Sequence, residues 1–487
     1  MGKEIDRVYF SSDDFVQFQN RLEEQLSSLK QCLDKHSLAC LPKSIGAEME
    51  VYLINPEGRP WLGNDQLLDQ AQDPQLAPEL NRYNLEYNLT PYTVHQQPFF
   101  SLEEEIQKKL FDINQLAVPL GGRVVPIGIL PTLKQTDFGT QFLTDRKRFH
   151  ALVNQLIKQR GSQFKINIDG TNPLQFEMED ITLEGANTSF QVHYQIPQEE
   201  FVPLFNAIQL LTPLALALGA NSPTLFGHRL WDETRIPLFK QSIDTRHLDQ
   251  YHWNEPSRVT FGHGWLRQSP YELFSEAVHL YPPLLPIIEN NDNSEALSEL
   301  RLHQGTVWMW NRPIYEPANG GHLRIEMRAL PSGPTAIDMV ANAAFIIGVA
   351  EAIKPDIDEL ISALPFQAAR YNFYRSAQHS LNTTLIWPNI KTSGCLELPI
   401  SDIIMEYLPL AEAGLRQVGI SSEETKHYLD VIEERITKRQ NGALWQCNML
   451  NTLHGKYSPK QVYHKMLEHY IDLSRQNIPV AQWQLDE

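Results

Sequence analysis

The chain has 487 residues, a formal net charge of −18, 42% hydrophobic and 21% charged residues. That length allows one large domain or two to three ordinary ones with a sizeable core. The negative charge argues against nucleic acid or an anionic membrane as the main partner, yet it admits an anionic small substrate where divalent metals and a few arginines reverse the local field.

Cys32, Cys40, Cys395 and Cys447 form no CxxC pair and suggest no disulfide framework. The polar start, Met-Gly-Lys-Glu-Ile-Asp, lacks an apolar signal core, so a cytoplasmic protein is expected. The apolar stretches near 205–220 and 336–353 are interrupted by polar residues or Pro and read as buried helices.

Residues 12–36 read as a helix capped by Ser12 or Asp13, with Phe15, Phe18, Leu22, Leu26, Leu29 and Leu33 on one stripe. Residues 45–54 alternate strictly. Ile45, Ala47, Met49, Val51 and Leu53 point one way, and Gly46, Glu48, Glu50, Tyr52 and Ile54 the other. Two carboxylates about 6.5–7 Å apart on one face repel each other, and a shared cation relieves the repulsion. Taken alone, the strand also reads as a solvated polar face.

Residues 59–78 read as an irregular loop over the active face. A second strand puts Asn84, Glu86 and Asn88 on its polar face and ends at Thr90-Pro91. Residues 101–119 read as a helix, 124–130 as a short strand with Pro126 at an edge or bulge, and 144–159 as a helix rich in Arg and Lys. In a third strand, 189–196, His193 shares the polar face with Ser189, Gln191 and Gln195. A buried helix over 198–219 stops at the Asn221-Ser222-Pro223 turn. Residues 241–304 form a long excursion able to close over a substrate.

The fourth strand, 321–329, shows His322, Arg324, Glu326 and Arg328 on one face, which serves either as anion and metal binders or as a cross-strand salt-bridge ladder. Residues 306–313 alternate and pair with it. A long apolar helix over 335–353 follows, and the remainder is mostly helical, most clearly at 401–418, 422–440 and 460–475.

The four strands predict an α+β protein built on a curved antiparallel sheet, apolar on one face and polar on the other. A concave face holding Glu48, Glu50, Glu86, His193, Glu326 and Arg328 is rich in hard oxygen ligands with one imidazole, which suits Mg²⁺ or Mn²⁺. Divalent ions flanked by arginines suit ATP phosphates. No P-loop and no GxGxxG after a strand is present.

The run Gly46-Ala47-Glu48-Met49-Glu50, the Glu86 strand with Thr90-Pro91, Val192-His193-Tyr194, Ala220-Asn221-Ser222-Pro223 with Arg235 downstream, and Ile325-Glu326-Met327-Arg328 resemble, in this order, the glutamate–cysteine ligases. They look closest to the carboxylate–amine ligase branch of that family, within the glutamine synthetase-like fold. The resemblance spans roughly residues 45–350, with an echo at Asn441–Gln446.

The resemblance implies a funnel-shaped sheet with helices behind it. It also implies ATP, Mg²⁺ or Mn²⁺, small amino-acid substrates and an acyl phosphate attacked by an amine. By the same resemblance Glu48, Glu50, Glu79, Glu86, His193 and Glu326 match metal ligands, while Arg328 and Arg235 match arginines contacting phosphate or substrate. The expected organisation is a helical segment over 1–44, a catalytic core over 45–353 and a helical region over 354–487 packed on it. Two alternatives keep the fold but not the reaction: a phosphotransferase to a nitrogen acceptor, or a regulatory protein that binds metal and nucleotide without turnover.

Overall fold

A computed structural model describes residues 4–35, 38–246, 255–289, 296–389 and 394–485. The main sheet is organised on β1 (Ser44–Ile54), joined by β2 (Leu76–Pro78), β3 (Asn84–Asn88), β4 (Tyr92–Thr93), β5 (Arg123–Val125), β6 (Phe190–Ile196), β7 (Asn311–Glu316) and β8 (His322–Met327). The spatial order is β7-β8-β6-β1-β3-β2, with β4 and β5 also paired to β1. Every pairing is antiparallel, and the sheet curves into a half-barrel. This is the curved antiparallel sheet expected from the alternating strands, with the helices behind it that the family resemblance implies.

Helices α1 (Ser12–Asp34), α2 (Asn64–Ala71), α3 (Pro98–Ala117), α4 (Lys147–Arg160), α5 (Phe201–Gly219), α6 (Arg235–Ser242), α7 (Tyr271–Leu280), α8 (Ser298–Gln304) and α9 (Ala336–Ile353) connect and back the sheet. Both α5 and α9 are long and apolar enough to cross a membrane, but they are buried inside the protein. An apolar surface all round a helix demands burial on every side, and these two pack together behind the strands. Asn311 of β7 donates to Gln209 and Thr212 of α5 at 2.7 and 2.8 Å, and Tyr194 of β6 donates to Glu351 of α9 at 2.7 Å. The back of the sheet is thus clamped by polar contacts inside an apolar layer.

After α9 come α10 (Ile357–Ala363), α11 (Phe366–His379), α12 (Ile400–Val418), α13 (Ser422–Lys438), α14 (Gly442–Leu453) and α15 (Pro459–Arg475). Helix α12 lies against α9 at Gly348 and Gly414, where a Cβ on either residue would collide with a carbonyl oxygen of the other helix. On α13, Arg435 pairs with Asp338 of α9 at 2.7 Å, both side chains buried. These contacts join the C-terminal helices to the layer that backs the sheet.

Several local expectations need correction. Residues 59–78 are not a loop, since they contain α2 and β2. The helix is short and polar, so its periodicity is faint. The expected strand over 124–130 is only Arg123–Val125, because Pro126 has no N–H to continue the ladder. Helix α1 is capped by Ser11, whose hydroxyl accepts from Asp14 N while Asp14 reaches back.

Hairpins at Phe164–Met178 and Thr384–Pro399, and helix α14, were not anticipated. The described part of the 241–304 excursion contains α7 and α8 and is packed on α1: Leu300 N donates to Gln25 of α1 at 2.9 Å, and Gln25 donates to the buried Glu299. Residues 247–254 and 290–295 of that stretch lie outside the described residues.

Candidate active site

Strand register assembles the site. Glu50 lies directly across from Glu86, Glu48 lies between Asn88 and Gln191, and His193 is opposite Glu326. Side chains on a strand alternate with a period of two, so a slip of one residue in any pairing would move a carboxylate to the apolar face. The six expected ligand residues fall into two groups, Glu48–His193–Glu326 and Glu50–Glu79–Glu86. In each group one ligand atom per residue lies within 4.8 Å of the others.

The first group is rich in positive charge. His193 Nε2 lies 3.2 Å from Glu48 Oε1 and 3.7 Å from Glu326 Oε1, without hydrogen-bond geometry to either. Arg312, opposite Glu326 in the β7–β8 ladder, grips its carboxylate with two bonds of 2.6 and 2.9 Å. Arg328 lies 3.1 Å from the same carboxylate and also donates to Gln191. Burial alone would push Glu48 up, but the His193 ring holds it at about 2. Burial is likewise overcome at Glu326, which Arg312 and Arg328 hold well below the usual carboxylate range. The ladder reading of β8 is therefore realised by Arg312, a residue not singled out in the sequence. Only the hairpin register brings it to Glu326.

The second group has no such relief. Ser189 N and Gln191 Nε2 donate to Glu50 at 2.7 and 2.9 Å, and Asn88 donates to Glu86 at 3.0 Å. Among the described residues, no Lys, Arg or His forms an ion pair with Glu50, Glu79 or Glu86. Burial raises Glu50 despite Arg328 and Arg235, raises Glu79 well above its ordinary range with Glu86 and Glu50 adding to it, and pushes Glu86 up to about 8. Three converging carboxyl groups whose ionisation burial disfavours, with no basic side chain paired to them among the described residues, are a suitable donor set for a hard divalent cation.

The first group fits a cation with one adjustment. Arg324 Nε donates to His193 Nδ1 at 3.1 Å. An imidazole that lends its Nε2 lone pair must carry its proton on Nδ1, so ligation requires Arg324 to turn away.

Arg235 occupies a different place from Arg328. It opens α6, is 2% exposed, and its guanidinium bonds Glu233 and Ala329 O at 3.1 Å each. It acts on Glu50 as a buried positive charge from below. The same support joins two separated sequence motifs: Gln446 donates to Asn221 Oδ1 at 2.8 Å, Ala443 N to Ala220 O at 2.8 Å, and Asn221 N to Glu233 at 2.7 Å. The turn at Asn221–Pro223 and the Asn441–Gln446 stretch are thus one structural unit beneath the site. Sequence reasoning also missed Glu184, half-buried and within electrostatic reach of Glu50 and Arg328, and Arg148 of α4, within reach of Glu79 and Arg312.

The model of the glutamate–cysteine ligase family 2 matches residues 44–465. The chain belongs to this family. The glutamate–cysteine ligase of Francisella tularensis, solved with AMP, is 11% identical, with a TM-score of 0.52 over 92% of this chain and 91% of that one. At that identity the likeness supports the shared fold. A bifunctional glutathione synthetase from Pasteurella multocida is 12% identical over 93% of this chain and 55% of that one, with a TM-score of 0.45. No curated protein matches the sequence. As a member of the glutamate–cysteine ligase family, the chain is an ATP-dependent carboxylate–amine ligase.

Proposed function

We propose that this protein joins the side-chain carboxylate of glutamate to an amine by way of an acyl phosphate, with Mg²⁺ or Mn²⁺ held by the two ligand groups. The observation that carries the reading is the sorting of Glu48, Glu50, Glu79, Glu86, His193 and Glu326 into two three-residue clusters on one concave face. Bound there, divalent ions would neutralise the ATP phosphates and the charge that moves with them.

The chain's own residues do the rest. Arg328 would supply the guanidinium that stabilises the transferred phosphate, and Gln191 fixes it by accepting one N–H while donating to Glu50. Arg312 holds the Glu326 carboxylate in a single orientation. A carboxylate oxygen of the donor attacks the γ-phosphorus and ADP leaves. The amine nitrogen then attacks the acyl carbon, phosphate departs, and the amine gives up a proton. Exclusion of water from the site during turnover would protect the acyl phosphate from hydrolysis.

The test is phosphate release from Mg-ATP across amino acids offered singly and in pairs, with mass spectrometry of the product. Release that needs glutamate plus one amine, yields the condensed product and vanishes in Glu50→Ala and Glu326→Ala supports the reading. A stable phosphorylated acceptor, or turnover surviving in both variants, defeats it.

A further inference from the structure

Helix α4 opens with Lys147 and Arg148, and its first turn carries no acidic residue. A helix N-terminus is its positive end and favours anions, yet Arg146 at the N-cap makes no side-chain capping bond. The carboxylate that meets this end comes from far away in the chain. Arg148 N donates to Glu4 Oε1 at 3.2 Å, and Lys147 Nζ to the Asp6 carbonyl at 2.9 Å. Ile5, between them, is 8% exposed and joins the main hydrophobic core, while Arg7 pairs with Asp14 of α1 at 3.0 Å. Residues 4–11 therefore form a strap, held on α4 at one end and running into α1 at the other.

Helix α4 lies between the two ends of the curved sheet, whose outermost strands are β2 and β7. At the β2–β3 end, Thr144, just before the helix, donates from Oγ1 to Glu79 O at 2.6 Å and from N to Leu80 O at 2.8 Å. At the β7 end, the Arg148 guanidinium lies beside Gly305, 3.8 Å from where a Cβ would stand. The adjacent Gln304 O accepts at 3.5 Å from Arg312, the residue that grips Glu326. The helix thus reaches from a member of one ligand group to the arginine that holds a member of the other, and the strap is docked on it.

We propose that residues 4–11 are an autoinhibitory strap, and that the docked strap and a bound magnesium nucleotide exclude each other. Docked, it lays Glu4 on the basic end of α4 and hides that positive charge from an approaching anion. Mg-ATP is itself anionic, so covered positive charge slows its encounter and uncovered positive charge speeds it. The anchor is slight: one buried isoleucine, one hydrogen bond to a carboxylate and one to a carbonyl. Segments with so few buried contacts open at low cost. Lifting the strap bares Lys147 and the N-terminus of α4 between the two ligand groups.

This inference rests on the proposed seat of the nucleotide at those groups, and its test separates the two. Association of ADP bearing a fluorescent ribose label, with Mg²⁺, is followed by stopped flow at low and high salt in wild type, Glu4→Gln and Ile5→Asp. Circular dichroism melts check folding. Ile5→Asp is expected to associate about tenfold faster at low salt and to lose that gain at high salt. Glu4→Gln shifts the rate the same way by less. In wild type, tryptic cleavage after Arg7, read by mass spectrometry, quickens when Mg-ADP is bound.

Association no faster in the folded variants, or cleavage after Arg7 slowed by Mg-ADP, overturns the strap. Nucleotide binding that survives Glu50→Ala combined with Glu326→Ala defeats the seat at the ligand groups instead.

Discussion

Glu50 and Glu86 face each other directly across the β1–β3 ladder, both buried and, among the described residues, neither in an ion pair with a basic side chain. Charging both groups there is costly, so the metal-free sheet is destabilised as pH rises through the Glu86 value of about 8. At a pH above that value, Glu86→Gln is expected to raise the melting temperature of metal-free protein by a few degrees, as a gain of about 1 kcal/mol would. It should also weaken Mn²⁺ binding at least tenfold. Calorimetry with and without Mn²⁺ checks both, and a variant that melts lower without metal contradicts the repulsion.

The same carboxylates set a pH dependence. Glu86 is pushed up to about 8 by burial, from an ordinary value of 4.5. A carboxyl whose folded value is raised favours the folded state fully below 4.5, and that contribution is lost as pH rises through about 8. A cation needs the deprotonated form, so its affinity must rise over the same window and binding near pH 7 must release protons. Titrating Mg²⁺ in two buffers of different ionisation enthalpy measures that release. Identical heats in both buffers would contradict it.

In the proposed metal-bound site, Arg324 would compete with the cation for His193, because its Nε donates to His193 Nδ1. Replacing it with Gln removes a positive charge and leaves an acceptor for Nδ1–H. We expect Arg324→Gln to tighten the weaker of two Mn²⁺ classes by about tenfold, one unit of pKa-like competition, while leaving the tighter class unchanged. Weakened binding in that variant would mean that Arg324 supports the ligand.

The two arginines suggested by family resemblance should behave differently. Arg235 is locked to the fully buried Glu233, so Arg235→Ala strands a charge and costs about 3–5 kcal/mol, read as a lower denaturant midpoint. Arg328, on the cavity side and 15% exposed, should lose turnover in Arg328→Ala with a smaller change in midpoint. If Arg235→Ala keeps its midpoint and loses only turnover, the assignment reverses.

Helices α9 and α12 touch backbone to backbone at Gly348 and Gly414. Gly414→Ala must push them apart and should cost about 1–3 kcal/mol, the usual range for overpacking, without altering Mn²⁺ affinity. Urea unfolding of the metal-free protein measures it.

By itself the sequence determined what depends on short-range periodicity. Alternation placed Glu48 with Glu50, and Glu86 with Asn88, on polar faces, and apolar stripes placed α1, α5, α9, α12, α13 and α15. It also named the six candidate ligand residues that the structure brings into two groups, because each lies within a strand, or just before one, whose pattern or family likeness is local. Helix α2, the two hairpins and α14 were hidden because short or mixed segments carry too few turns of any pattern to stand out.

Tertiary structure alone decided how the six candidate ligand residues divide into two groups. It also decided that Arg312 grips Glu326 and that Arg235 is buried against Glu233 and Ala329. These are relations between strands far apart in the chain. Pairing register and sheet curvature create them, and no single stretch of sequence contains them.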